Sequence, residues 1–237
     1  MTNSDNWTLP VDGTEQGLPY IEIAPGVRLY DVRGRYSDTF GASRTEKIGY
    51  TIHHDAIPMV AGGIDGDLAR LNAIHRYHTQ SNGWGGIGYH RVISPAGRTY
   101  LIGGSGTQRA HVAGLNHLWI GYCFMGDWSN SRPPEAAMHA LRTMIQWETD
   151  QRGVGMYMRP HKALNLGATV CPGGWAATDA WESIVLRPSE VVVLPQGEFL
   201  PEPTVAPSAA PPDVAAARVA LDSAAAALKA ARAALGG

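Results

Sequence analysis

At 237 residues, with 44% apolar and 17% charged side chains, the chain has the size of one medium domain with an appendage, and enough apolar residues for a sizeable core. A formal charge of -2 and a pI near 6.5 exclude a whole-molecule field that would hold nucleic acid or an anionic membrane. Any partner must be recognised locally.

The opening stretch, MTNSDNWTLPVDGTEQG, has neither a basic nor an apolar signal region. No later stretch approaches the roughly 18 apolar residues of a membrane span. The expectation is a protein made in the cytoplasm without an integral membrane segment. Residues 1–45 are polar and irregular except for IEIAPGVRLYDVRGRY, where two apolar-alternating runs flank Pro25-Gly26 and predict a hairpin. This part reads as an N-terminal extension packed on the core.

The run IGYTIHHD, 48–55, predicts a strand that ends in histidines. From Asp67 to about Gln80 the positions Leu68, Leu71, Ile74 and Tyr77/His78 recur at helical spacing, with Asp67 placed to cap the start and Asn82-Gly83 to stop it. GYHRVISPAGRTYLI predicts two strands around Pro95-Ala96-Gly97, and WIGYCFMGD, 119–127, predicts a buried strand. Pro133-Pro134-Glu135 opens a second helix, carried by Met138, Leu141, Met144 and Ile145 to about Arg152. A third, shorter helix is expected over 175–186.

Strands alternating with helices predict an α/β domain with a mixed central sheet flanked by helices, spanning 46–195. Residues 196–212 are rich in Pro and Ala without apolar periodicity, as in a semi-rigid linker. Residues 213–237 favour a C-terminal Ala-rich helix, with Val214, Leu221, Leu228 and Leu235 at heptad spacing and Ala217, Ala224 and Ala231 between them. Two readings stand for it: a seam joining copies into a homo-oligomer through 213–235, or a solvated helix.

The chemistry-bearing residues cluster in the order of the elements. His53-His54 ends a predicted strand, and His161 and Cys171 flank a loop that closes on Cys-Pro-Gly. Two histidines and a cysteine suit zinc, leaving a fourth position open. The spacing itself leaves a metal site and a set of structural histidines with an unrelated cysteine equally open. Cys123, inside an apolar run, makes no disulfide framework with Cys171.

Taken in order, the motifs YTIHHD, GWGGIGYH, RAHVAGLNHLWIGYCFMGD and RPHKALNLGATVCPG resemble the zinc amidases that cleave N-acetylmuramoyl-L-alanine bonds, a family that includes phage endolysins and peptidoglycan recognition proteins. The resemblance covers about 46–185. It implies His53, His161 and Cys171 as Zn²⁺ ligands, Tyr89 as the tyrosine beside the metal, and Thr169 at the other catalytic position. Nine residues separate His161 from Cys171, about two more than the resemblance leads one to expect, which bears on Thr169.

The resemblance also makes His111 and Asn116 candidates for lining a stem-peptide groove, with His54 and Trp84 as further substrate-binding candidates. The implied partners are the peptidoglycan stem peptide and glycan. The implied activity is amide hydrolysis in host lysis by an endolysin, made in the host cytoplasm and acting on the wall after release. A recognition module that binds without cutting and a cytoplasmic muropeptide-recycling amidase are the competing readings.

Overall fold

The structure is a computed structural model that describes residues 11–59, 62–165, 168–177 and 185–188. The linker and the Ala-rich helix expected over 196–237 lie outside them. Nine strands form one mixed sheet: β1 (Gly13–Glu15), β2 (Leu18–Ala24), β3 (Val27–Asp31), β4 (Gly49–His54), β5 (Arg91–Ile93), β6 (Thr99–Leu101), β7 (Trp119–Phe124), β8 (Met156–Pro160) and β9 (Val185–Leu186). Helices α1 (Ile64–Arg76), α2 (Glu135–Arg152) and the single-turn α3 (His161–Leu164) complete it.

The spatial order is β1-β2-β3-β6-β5-β7-β4-β8-β9. Strand β4 is central and runs parallel to both β7 and β8, while β5 also runs parallel to β7. The expected α/β fold with helices on a mixed sheet is therefore the observed one. The hairpin at Pro25-Gly26 forms as β2 and β3, and β3 pairs in parallel with β6. The segment expected as an N-terminal extension thus supplies three strands to the same sheet.

Side-chain alternation divides the interior into two layers. On one face Tyr50, Ile52, Ile120, Tyr122 and Phe124 pack against Met138, Leu141, Met144 and Ile145 of α2. On the other, Val92, Tyr100 and Cys123 meet Ile64, Leu71 and Ile74 of α1. Burying such side chains contributes about 1.5–3 kcal/mol each, so both helices are fixed by the sheet. Helix α2 ends on Gly153 in the left-handed region, φ 64°, whose N–H closes onto the Thr149 and Asp150 carbonyls.

Two local expectations are corrected, and one strand is added. Asp67 does not cap α1. Gly63 takes that place, and the buried Asp67 carboxylate accepts from Arg98 Nε and the Tyr100 hydroxyl, each at 2.7 Å. A tether to the sheet outweighs a cap that water would satisfy equally well. Residues 185–186 are a strand on β8, not the end of a helix. Strand β8 was not foreseen from the sequence at all; its MYMRP is short and ends in Arg-Pro.

Candidate metal centre

Parallel strands β4, β7 and β8 all end at one edge of the sheet, the edge at which open α/β folds place ligands. In the β4–β8 ladder Ile52 pairs with Pro160. His53 follows Ile52 on β4 and His161 follows Pro160 as the first residue of α3, so their rings meet at a centroid distance of 4.5 Å. The Cys171 Sγ comes to 3.8 Å from His53 Nδ1. Donor atoms of His53, His161 and Cys171 all lie within 4.8 Å of one another, the one such group among the described residues.

Alternation allows only one of the paired histidines into this centre. His53 faces the α1 layer, 1% exposed. His54 faces the α2 layer, where its Nδ1 accepts the Trp128 N–H at 3.0 Å and lies 3.9 Å from Asp127 Oδ1. Its backbone N–H points at Cys171 Sγ at 3.4 Å. His54, a substrate-binding candidate, thus bonds the loop at Trp128 and approaches the Cys171 sulfur.

His111, a groove-lining candidate, sits beside the centre. It is 7% exposed and lies behind His53, its Nδ1 3.2 Å from His53 Nε2 and its Nε2 3.1 Å from the Trp119 carbonyl. The hydrogen bonds assign the protons. A carbonyl only accepts, so His111 carries its proton on Nε2 and its Nδ1 must accept; His53 therefore donates from Nε2 and leaves Nδ1 bare toward Cys171 and His161. This is the tautomer a metal ligand needs, set by a partner behind it. Gly121 makes the stack possible, since a Cβ there would meet the His111 ring at 2.8 Å. Asn116 serves the same loop: its Oδ1 accepts the N–H groups of His111 and Val112 at 2.8 and 2.7 Å.

Burial keeps the imidazoles neutral. It drives His53 well below the ordinary histidine value, reinforced by the nearby His161 and His111 rings, and lowers His161 to about 4. Burial likewise pushes the Cys171 thiol up to about 12, opposed by the His54 N–H and the Lys162 charge. Two neutral imidazoles and a sulfur with no cation among them fit zinc, whose charge takes a coordinating thiol to the thiolate. His53, His161 and Cys171 are the residues that could hold it, with three protein ligands and room for a fourth.

Around the centre, the Tyr89 ring lies 5.3 Å from His53, and burial holds its phenol well above the ordinary tyrosine value. The Trp84 ring lies 4.6 Å from that of His78, tilted by 46°, and His78 lies 5.4 Å from Tyr89. Thr169 Oγ1 accepts the Cys171 N–H at 3.1 Å. Two residues not singled out from the sequence touch the centre. Lys162 Nζ donates to the Gly173 carbonyl at 2.8 Å and its N–H to the Cys171 carbonyl, and the Asn165 amide lies 3.2 Å from His161 Nε2. Asn165 follows His161 by four residues, one helical turn, which was the available signal.

The fold and the centre together describe an α/β domain with a His-His-Cys cluster at a strand edge that could hold a metal ion. Residues 46–174 match the family profile described as N-acetylmuramoyl-L-alanine amidase (Amidase_2). This is more than half of the chain, and the chain belongs to that family.

Among similar proteins, human "N-acetylmuramoyl-L-alanine amidase" is 30% identical over 127 residues, covering 52% of this chain and 22% of the human protein. "Peptidoglycan-recognition protein 1" of the beetle Holotrichia diomphalia is 28% identical over 162 residues, covering 63% of this chain and 80% of its own. The chain thus spans about a fifth of one relative and four fifths of the other. Among solved structures, Drosophila PGRP-LB shares the fold with a TM-score of 0.58 at 22% identity, over 65% of this chain and 92% of its own. The endolysin amidase LysCS of Clostridium intestinale shares it with a TM-score of 0.53 at 19% identity, over 65% and 92%.

Proposed function

We propose that the chain is a zinc-dependent N-acetylmuramoyl-L-alanine amidase that hydrolyses the amide between N-acetylmuramic acid and the L-alanine of the peptidoglycan stem peptide. The observation that carries this reading is the convergence of the His53, His161 and Cys171 donor atoms within 4.8 Å in a chain of the amidase family. These three residues would hold the zinc. Zinc supplies Lewis acidity there, polarising an amide carbonyl and lowering the pKa of water toward about 7.

The remaining work falls to the protein's own groups. His111 fixes the His53 tautomer and ring plane from behind. Tyr89 keeps its proton throughout the neutral range and is the donor for the oxyanion that forms when the amide carbon becomes tetrahedral. Such a donor is worth about 10²- to 10³-fold in rate. Thr169 uses an oxygen lone pair on the Cys171 N–H, so its hydroxyl hydrogen remains available to a second acceptor. Over the whole reaction the amide C–N bond breaks, the hydroxyl of water ends on the carbonyl carbon and its hydrogen on the departing alanine nitrogen.

The biological setting we infer is lysis of a bacterial host by a phage endolysin, made in the host cytoplasm and acting on the wall after release. A Pro/Ala-rich linker over 196–212 followed by a helix-favouring tail over 213–237 supports this, because a tethered tail is useful at the surface of a wall polymer.

The test is mass analysis of purified peptidoglycan incubated with the wild type, the chelated wild type and Cys171→Ser. Free stem peptides beginning with L-alanine from the untreated wild type only are the expected result. Peptidoglycan that is bound but uncut in all three samples contradicts catalysis and supports a recognition module.

A further inference from the structure

We propose that Asn165 is a positioning residue for the metal centre, its side-chain amide holding the Nε2 edge of the His161 ring so that Nδ1 is the atom offered to the metal. The inference rests on the metal reading above and adds to it a second residue that decides how a ligand is presented.

Three observations carry it. The Asn165 side-chain amide reaches the ring edge, its Nδ2 3.2 Å from His161 Nε2, within hydrogen-bond distance. Its backbone is fixed independently of that contact, since its N–H donates to the His161 carbonyl and its own carbonyl accepts the Ala168 N–H, both at 3.1 Å. The residue also closes α3, a single turn that places position i+4 beside position i. Asn165 is therefore held against the His161 ring by the chain itself rather than by a chance rotamer.

The consequence follows from imidazole chemistry. A neutral ring that offers Nδ1 to a cation carries its proton on Nε2, and that proton needs an acceptor. The amide oxygen of Asn165 is such an acceptor. Nδ2 faces Nε2 in the structure and can only donate to it; a half-turn of the side chain exchanges the two ends of the amide and brings the oxygen to Nε2, the arrangement required once Nδ1 is given to the metal. His53 shows the matching arrangement, its Nε2 engaged by His111 and its Nδ1 turned toward Cys171. Both histidines would then be held from behind through Nε2, one by an imidazole and the other by an amide.

The experiment measures zinc affinity by competition with a chromophoric chelator, on the full chain as wild type, Asn165→Ala and Asn165→Asp, with the melting temperature of each chelated protein recorded alongside. Asn165→Ala should bind zinc about 10- to 100-fold more weakly, the usual cost of losing such a partner, at an unchanged melting temperature of the chelated form. Asn165→Asp presents only acceptor oxygens and should bind at least as tightly as the wild type. An Asn165→Ala protein that binds zinc as tightly as the wild type or more tightly overturns the proposal, as does an Asn165→Asp protein no better than Asn165→Ala. A wild type that takes up no zinc overturns the metal reading itself, so the two failures are told apart in one titration.

Discussion

Two buried polar clusters lie on opposite sides of the central strands, and they are built on opposite logic. Between the sheet and α2, the fully buried Glu148 carboxylate accepts from Arg91 at 3.0 Å and from the Ser105 and Tyr122 hydroxyls, with Arg152 at 3.9 Å. Burial would raise Glu148, yet these partners hold it below the ordinary carboxylate value. Arg91 also donates from Nη1 to the His90 and Gly103 carbonyls. The buried Glu148 charge has its counter-charges within the protein.

At the strand edge the pattern is reversed. His53, His161 and Cys171 bring electron-pair donors together with no cation among them, although His53 is as buried as Glu148. A self-satisfied cluster is a device for holding the fold. A cluster of neutral donors aimed at one another is suited to a cation, which is the reading proposed above. The two are told apart by asking what each still lacks, and burial by itself does not separate them.

That contrast can be broken at several points. The largest effect is expected from replacing a donor: His53→Ala or Cys171→Ser should lower peptidoglycan cleavage by more than the roughly 10³-fold that a single lost oxyanion donor costs. Release of stem peptides is the readout, and residual activity above one hundredth of wild type would remove that residue from the centre. In the other cluster, Glu148→Ala should destabilise the fold by about 3–5 kcal/mol through the unpaired Arg91, measured by urea denaturation. Zinc uptake per folded chain should not change, and a parallel loss of zinc would merge the two clusters into one system.

Smaller effects sharpen the division of labour inside the centre. Tyr89→Phe should reduce kcat by about 10²- to 10³-fold while leaving zinc affinity intact; a change in affinity with kcat preserved would make Tyr89 a support for the ligands. His111→Ala should weaken zinc binding by about 10- to 100-fold, read by chelator competition, and an unaltered affinity would contradict the tautomer argument.

The smallest effect is one of pH on the chelated protein. Burial lowers His111 to about 3 and His161 and His78 to about 4, from an ordinary 6.5. Below 6.5 the unfolded chain binds protons that the folded chain refuses. Stability contributed by these groups is thus whole above 6.5 and declines as pH falls toward 4. The melting temperature of the chelated protein should drop over that interval, and a flat profile would contradict neutral burial.

Much of this arrangement was legible in the sequence because it rests on local signals. IGYTIHHD and WIGYCFMGD are apolar runs of strand length, and they form β4 and β7, which set the edge of the site. Helix α2 announced itself by Pro134 at its start and a 3.6-residue apolar stripe.

What was not legible depends on long-range partners. The Arg91–Glu148 pair bridges 57 positions, and Glu148 reads in sequence as one more polar residue on a helix. Asp67 looks like a cap because its partners, Arg98 and Tyr100, are 31 and 33 residues away. His111 was visible as a candidate, but its place behind His53 depends on the β4–β7 register and on Gly121, which spacing does not reveal. Residues 185–186 read as helix because two residues carry no periodicity, and only their pairing with Met156 and Tyr157 makes them a strand.

The most direct measurement of the central claim is metal content per chain, by elemental analysis of wild type, Cys171→Ser and Glu148→Gln dialysed against zinc and then against metal-free buffer. One equivalent of zinc in the wild type and in folded Glu148→Gln, with none in Cys171→Ser, is the result the contrast between the two clusters predicts. A wild type without zinc, or a Cys171→Ser protein that retains a full equivalent, would contradict it.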